Sequence, residues 1–166
     1  MRGRPITCCF TGHRPGKLPW GFNEADPRCT ALKRKIADAV DSAYQSGYRH
    51  FICGMAQGCD FYFAETVLAL RARCGGVTLE AAVPCPEQAA SWPRRDRERY
   101  RALLDACDFE TLVQEHYSPG CMQRRNRYMV DRADVLLAYC RKETGGTAYT
   151  VSYAKKRGVD VILFEN

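Results

Sequence analysis

Short apolar runs alternate with amphipathic segments along the chain, and this alternation constrains the fold more than any other feature. Six runs are rich in apolar and β-branched residues, which is typical of buried strands. They are Ile6–Thr11, Phe51–Cys53, Val77–Val83, Phe109–Val113, Val135–Tyr139 and Val159–Phe164. The five segments between them carry apolar residues at helical spacing. The order predicts an α/β three-layer sandwich, with a mostly parallel sheet of about six strands and helices on both faces.

Length and hydropathy favour one domain. The chain has 166 residues, enough for a single domain with a full core. No apolar run reaches the roughly 20 residues needed to cross a bilayer. Residues 1–7 lead into the first strand without the apolar region of a signal peptide. We therefore expect a single domain over residues 1–166, located in the cytoplasm, with no membrane partner.

The chain contains ten cysteines, and no two of them have CxxC spacing. Several, such as Cys8, Cys9, Cys53 and Cys140, lie inside strand-like runs, where a buried thiol behaves as a small hydrophobic side chain. The pattern predicts reduced thiols in a packed core. A zinc site is not expected, because ligand spacing and clustered histidines are both lacking.

The formal net charge is +6, with cations concentrated at Arg94–Arg101 and Arg124–Arg132. A basic surface suits nucleic acid, and it equally suits a small phosphorylated ligand. Asp96 and Glu98 interrupt the first stretch, so we interpret that stretch as a solvated helix face. No recognition motif that combines aromatic and basic residues is present.

Glycine-rich loops follow three of the predicted strands. In open α/β sheets, ligands bind beyond the carboxyl ends of the strands. Glycine lets a ligand approach the backbone closely, and the following helix offers free N–H groups and a positive dipole end. The candidate ligand-binding residues in these loops are Thr11, Gly12, His13, Arg14, Gly54, Met55, Ala56, Gly58, Asp60, Gly145, Gly146 and Thr147. These loops predict a site for a phosphate-bearing ligand.

Two residues in the loops have alternative interpretations. Asp60 either caps the second helix or faces the pocket and contacts ribose hydroxyls. His13 either contacts the ligand or acts as a general base, although no partner acid is evident. The lysine of a Walker A loop is missing, and so is a GxGxxG motif followed by an acidic residue, which argues against an NAD(P)-dependent dehydrogenase.

The predicted fourth helix is dense in cations. Arg125 and Asn126 lie near an apolar stripe formed by Met122, Met129 and Ala133, so at least one of them can face inward. A buried arginine usually has an anionic partner. The alternative is a solvated basic face.

Four segments together resemble the YpsA-like family of the SLOG superfamily. They are Thr-Gly-His-Arg-Pro at 11–15, Gly-Met-Ala-Gln-Gly-Cys-Asp at 54–60, Arg-Asn-Arg-Tyr-Met-Val-Asp at 125–131 and Gly-Gly-Thr-Ala-Tyr at 145–149. The resemblance extends from about Ile6 to Phe164. It implies a Rossmann-like fold and a pocket for a nucleotide or nucleotide derivative, such as an ADP-ribose-like molecule, as well as a possible homo-oligomer. No cofactor is implied beyond a bound nucleotide, phosphate or sulfate.

The related LOG enzymes, which cleave the base from a nucleoside monophosphate, are similar at two of these segments. Their helix signature matches Met122–Asn126 and places their arginine at Arg125, and their final Gly-Thr matches Gly146 and Thr147. Their catalytic glutamate falls on Thr150, which cannot supply a carboxylate to an oxocarbenium-like transition state.

The resulting first hypothesis is a nucleotide-binding sensor or regulatory module. The alternative is a nucleotide-processing enzyme such as a phosphoribohydrolase, with Arg125 and Asp60 as catalytic residues. A second alternative is DNA binding like that of the DprA relatives.

Overall fold

The structure is a computed structural model that describes residues 6–164, in which six strands alternate with five helices. The strands are β1 (Ile6–Gly12), β2 (Tyr48–Cys53), β3 (Thr78–Val83), β4 (Phe109–Leu112), β5 (Val135–Tyr139) and β6 (Asp160–Phe164). The helices are α1 (Pro27–Gln45), α2 (Cys59–Arg73), α3 (Arg94–Ala106), α4 (Cys121–Arg132) and α5 (Gly146–Lys156). Two expectations lie outside the described residues. They are the lack of a signal peptide in residues 1–5 and the domain ends at residues 1 and 166.

All six strands form one parallel sheet in the order β4-β3-β2-β1-β5-β6. The chain builds outward from β1 through β2, β3 and β4, and then continues on the other side of β1 with β5 and β6. The strand order therefore reverses between β1 and β5, where Gly12 pairs with Tyr139. A crevice opens at such a switch point, beyond the carboxyl ends of the strands.

Helices cover both faces of the sheet. Cys8 and Phe10 of β1 point into the larger core, which also contains buried residues of α1, α2 and α3. Cys9 points to the other face, into a core that contains buried residues of α4 and α5. The central strands are thus apolar on both sides, as expected for a parallel sheet between helix layers. The predicted α/β fold, with its parallel sheet and two helix layers, is confirmed.

The second strand is longer than its apolar run. β2 begins at Tyr48, three residues before the predicted Phe51, because the half-buried residues from Tyr48 to His50 already pair with β1 and β3. His50 also contacts Thr78 and Glu80 on β3. Polar side chains satisfied in this way leave no hydrophobic signal in the sequence.

All ten cysteines are free thiols, and seven of them are buried. Within residues 6–164, no helix combines the length and apolar character that a bilayer crossing requires. Across the same residues, no group of three or more His, Cys, Asp or Glu side chains is placed to hold a metal ion.

Candidate functional site

A cleft of about 520 Å³ lies at the switch point of the sheet, within the size range of pockets that hold small molecules. Ten of the sequence-predicted site residues line it: Thr11, Gly12, His13, Arg14, Ala56, Asp60, Arg125, Asn126, Gly146 and Thr147. Further lining residues not singled out from the sequence as ligand contacts are Phe10, Pro15, Gly16, Lys17, Phe22, Gln57, Met122, Gln123 and Met129. The loops after β1, β2 and β5 and helix α4 thus meet around one cavity.

The four remaining predicted residues shape the loops without lining the cleft. Met55 is fully buried in a left-handed backbone conformation. Gly58 and Gly145, both with positive φ, precede the first turns of α2 and α5. Gly54 lies so close to Arg125 that a Cβ there would be 2.5 Å from Nη1 of that side chain. Glycine at these positions serves the path of the backbone and the placement of Arg125.

The Arg125 guanidinium is held in a buried position at the base of the cleft. The residue is only 3% exposed, so the alternative of a solvated basic face is wrong for this residue. Its Nη1 donates to the carbonyl oxygens of Gly54 at 2.5 Å and Ala82 at 3.2 Å. Its Nε donates to Asn126 Oδ1 at 2.9 Å, whereas Nη2 faces the weak thioether acceptor of Met122 at 3.8 Å. Nη1 also donates to Gln88 Oε1 at 3.3 Å, so four contacts to oxygen atoms fix this cation, and Nη2 keeps most of its donor capacity.

Asp60 lines the same cleft and does not cap α2. The cap residue is Gly58, and Asp60 sits in the first helical turn, where its Oδ2 accepts from the Ala56 N–H at 3.1 Å. Burial raises the pKa of the Asp60 carboxyl, while Arg125 and the Ala56 N–H act in the opposite direction. Burial likewise lowers the pKa of Arg125, which Asp60 counteracts. The cleft thus contains a buried carboxyl and a buried guanidinium of opposite charge.

His13 joins two of the loops. Its side chain is buried, and Nε2 accepts a hydrogen bond from the Arg141 N–H at 2.8 Å. Because Nε2 is the acceptor, a neutral ring carries its proton on Nδ1. Burial lowers the pKa of His13, as do the nearby cations Lys17, Lys142 and Arg141. His13 therefore holds the β5–α5 loop against the β1 loop, and the nitrogen that would serve as a base is already engaged.

The N-terminus of α5 and two basic side chains give part of the cleft a positive character. The first N–H groups of a helix have no acceptor within the helix and lie at its positive end. Gly146 and Thr147 bring that end to the cleft. Lys17 reaches across Gly145, where a Cβ would be 2.5 Å from the lysine Nζ, and Arg14 is exposed in the cleft lining. This arrangement suits an anionic group.

Thr150, which matches the catalytic glutamate of the LOG enzymes, points away from the cleft. It is fully buried, and its hydroxyl donates to the Gly146 carbonyl oxygen at 2.9 Å. The side chain is thus used within α5.

Lys17 and Phe22 line the cleft, but neither was predicted from the sequence as a site residue. Both come from the non-periodic loop between β1 and α1, a region where apolar spacing carries no signal. For Lys17, the sequence offered one indication of a place in the site, namely a second cation three residues after Arg14.

Two curated bacterial proteins are similar in sequence over most of the chain. A UPF0398 protein of Halalkalibacterium halodurans is 27% identical over 151 residues, which cover 89% of this chain and 79% of that protein. A UPF0398 protein of Bacillus licheniformis is 26% identical over 149 residues, with 88% and 81% covered.

Two solved structures have a similar fold. DNA processing protein A from Helicobacter pylori matches with a TM-score of 0.65 at 14% identity, covering 98% of this chain and 66% of that one. DNA processing protein A from Streptococcus pneumoniae matches with a TM-score of 0.61 at 15% identity, covering 98% and 51%. This chain therefore spans less than two thirds of either DNA processing protein. The likeness confirms the predicted Rossmann-like fold.

The family comparison covers nearly the whole chain. Residues 8–160 match the YspA SLOG family, a range that includes all four segments on which the resemblance was based. The chain therefore belongs to the YspA SLOG family.

Proposed function

We propose that this chain binds a nucleotide or a nucleotide-derived phosphate ligand, ADP-ribose-like or similar, and acts as a sensor or regulatory module. One observation carries the proposal: a single cleft at the switch point is lined by the first turn of α5, the buried Arg125 and the buried Asp60. These three features match the two polar parts of a nucleotide, namely its phosphate and its sugar.

The phosphate belongs at the N-terminus of α5. Free N–H groups and the helix dipole favour an anion there, and the Thr147 hydroxyl adds a donor. Lys17 and Arg14 supply positive charge beside it. A Lys side chain interacts with phosphate as a point charge, whereas Arg can form two parallel hydrogen bonds.

The sugar belongs near Asp60. An ionised carboxylate accepts hydrogen bonds only, so it pairs well with ribose hydroxyls. Ala56 N–H occupies Oδ2, which leaves acceptor capacity on the carboxylate. The nearby positive charge of Arg125 favours the ionised form of Asp60 against the effect of burial.

Thr147→Val tests the phosphate site, because it removes the hydroxyl with little change in volume. We expect titration calorimetry with ADP-ribose and AMP to show affinity reduced about tenfold, as for a lost hydrogen bond to a charged group. Thr150→Val is the matched control, since it makes the same change in the same helix outside the cleft and should leave affinity within about twofold. If neither compound binds to the unaltered chain, the proposal is wrong.

A second candidate function is hydrolysis of a nucleotide N-glycosidic bond. It is favoured by the shared location of Asp60 and Arg125 in the cleft and by the raised pKa of Asp60, since a protonated carboxyl can donate a proton to a departing base. Water would add at the anomeric carbon as the base leaves with that proton, and the proton that the water loses would return to the Asp60 carboxylate. Free base should then accumulate from AMP, and Arg125→Ala and Asp60→Asn should both abolish its release.

Single-stranded DNA is a third candidate ligand. The Helicobacter pylori protein with a similar fold binds single-stranded DNA, and this chain has a net charge of +6. Binding through phosphate contacts would weaken steeply with salt. A gel shift with an oligonucleotide at low and high salt tests this function. DNA binding predicts a shift that is lost at high salt, whereas a protein that binds only a small nucleotide should give no shift.

A further inference from the structure

Among residues 6–164, Phe22 is the only phenylalanine that is both largely exposed and part of the cleft lining. Its side chain is 60% exposed, and it lines the cavity that also contains Asp60 and Arg125. Within residues 6–164, no other aromatic ring stacks on it. Phe22 is thus an exposed aromatic side chain in the lining of the cleft.

The loop that carries Phe22 is anchored on both sides. On one side, Leu18 and Trp20 are buried, and the Trp20 indole lies 3.4 Å from the Tyr62 hydroxyl. On the other side, Glu24 forms ion pairs with Lys33 at 2.8 Å and with Arg99 at 2.6 Å. Backbone hydrogen bonds from Gly21 to Leu18 and from Asn23 to Trp20 close the turns between these anchors. The ring is therefore held at the cleft by contacts that do not involve it.

From this geometry we infer that Phe22 is the platform on which the aromatic base of the ligand stacks. The inference rests on the proposed function and narrows it: the ligand is a mononucleotide or a derivative that carries an aromatic base, not a bare sugar phosphate. Base–aromatic stacking is a strong interaction that needs no hydrogen-bond partner on the base. Phe22 lines the same cleft as Thr147 and Asp60, so the cleft offers one place each for the base, the phosphate and the sugar.

The test compares two probes that differ only in the base. AMP carries the base, the ribose and the phosphate, whereas ribose 5-phosphate lacks the base. We expect Phe22→Ala to weaken AMP binding about tenfold or more, as for loss of one stacking contact, and to leave ribose 5-phosphate within about twofold. Phe22→Tyr keeps the ring and should retain AMP affinity. Tyr117→Ala, which removes an aromatic residue that is 63% exposed away from the cleft, should change neither affinity.

The possible outcomes separate this inference from the proposed function. Unchanged AMP affinity in Phe22→Ala, or an equal loss for AMP and ribose 5-phosphate, overturns the role of Phe22 and leaves phosphate binding in place. Failure of AMP, ADP-ribose and ribose 5-phosphate to bind to the unaltered chain overturns the proposed function and the inference with it. If a short oligodeoxyadenylate binds more tightly than AMP, the base that stacks on Phe22 belongs to a nucleic acid, and the inference that the ligand is a mononucleotide is wrong.

Discussion

At the scale of single residues, the main feature of the cleft is a pair of buried ionisable groups of opposite charge, Arg125 and Asp60. Arg125 is fixed by backbone carbonyls from two strand ends, Gly54 after β2 and Ala82 on β3. Asp60 remains without a direct ion pair to it among the described residues. Each of the two side chains therefore keeps unused hydrogen-bonding capacity, and a ligand with both phosphate and hydroxyl groups can satisfy both of them.

His13 makes the stability of the protein sensitive to acid. Its pKa is lowered in the folded state, so below about pH 6.5 the unfolded chain takes up a proton at this position before the folded one does. The free energy of unfolding should consequently fall as pH falls from about 6.5 toward the lowered pKa, and the contribution of His13 should be fully present above that window.

His13→Gln tests this prediction, because the glutamine carbonyl can accept from the Arg141 N–H and does not titrate. We expect the variant to lose less stability than the unaltered chain when urea unfolding is measured at decreasing pH. His13→Ala removes the acceptor and should cost about 1 kcal/mol at pH 7. Parallel pH profiles for the unaltered chain and His13→Gln would contradict the assignment.

At the scale of secondary structure, the start of α2 depends on a backbone that suits glycine. Gly58 has φ +87°, and a Cβ there would lie 2.9 Å from the His13 carbonyl oxygen and 3.0 Å from Pro15 Cδ. The start of the helix is thus packed directly against the β1 loop. The Cys59 N–H donates to the same His13 oxygen at 3.3 Å, which joins the first two loops of the cleft.

Gly58→Ala should accordingly lower the free energy of unfolding by about 1–3 kcal/mol, the cost of a strained left-handed residue. Gly16→Ala provides the control, because a Cβ at Gly16 meets nothing within 4 Å and its effect should stay within about 0.5 kcal/mol. Urea denaturation of both variants measures the difference. Equal stability of the two would show that the Gly58 conformation is not a constraint.

The elements were largely predictable from the sequence, and the reason is physical. β1 and β5 are buried on both faces, so each appears as a short run of apolar and β-branched residues. The beginning of β2 could not be predicted in this way, because it is polar. Its His50 forms hydrogen bonds to Thr78 and Glu80 on β3 and leaves no apolar signal in the sequence. For the site, the parallel topology predicted which loops meet. The position of Phe22 was not predictable, because it depends on distant contacts of Trp20 and Glu24.

At the scale of the whole molecule, the cysteines report on the packing of both cores. Seven are buried, and only Cys74, Cys107 and Cys140 are partly exposed. Burial also raises the pKa of Cys107 to about 12 and that of Cys85 to about 11, which suppresses the reactive thiolate.

A thiol reagent should therefore react rapidly with at most three thiols of the folded chain at pH 8 and with all ten after unfolding. The slowest phase in the folded protein should follow global opening, because five of the seven buried thiols lie in the two sheet cores. Absorbance of the released chromophore counts the thiols in each state. Fewer than ten in denaturant without reductant would instead reveal disulfides.

The contact between Gly54 and Arg125 has a consequence for how this protein can change over evolutionary time. The guanidinium occupies the space that a side chain at position 54 would need, and it donates to the carbonyl oxygen of that same residue. Position 54 therefore cannot gain a side chain while the arginine remains in this place. Among relatives that retain an arginine here, position 54 should remain glycine, and lineages that acquire a larger residue at 54 should have already lost the arginine. The residue that position 54 can accept should thus depend on the residue at 125, although 71 residues separate the two along the chain.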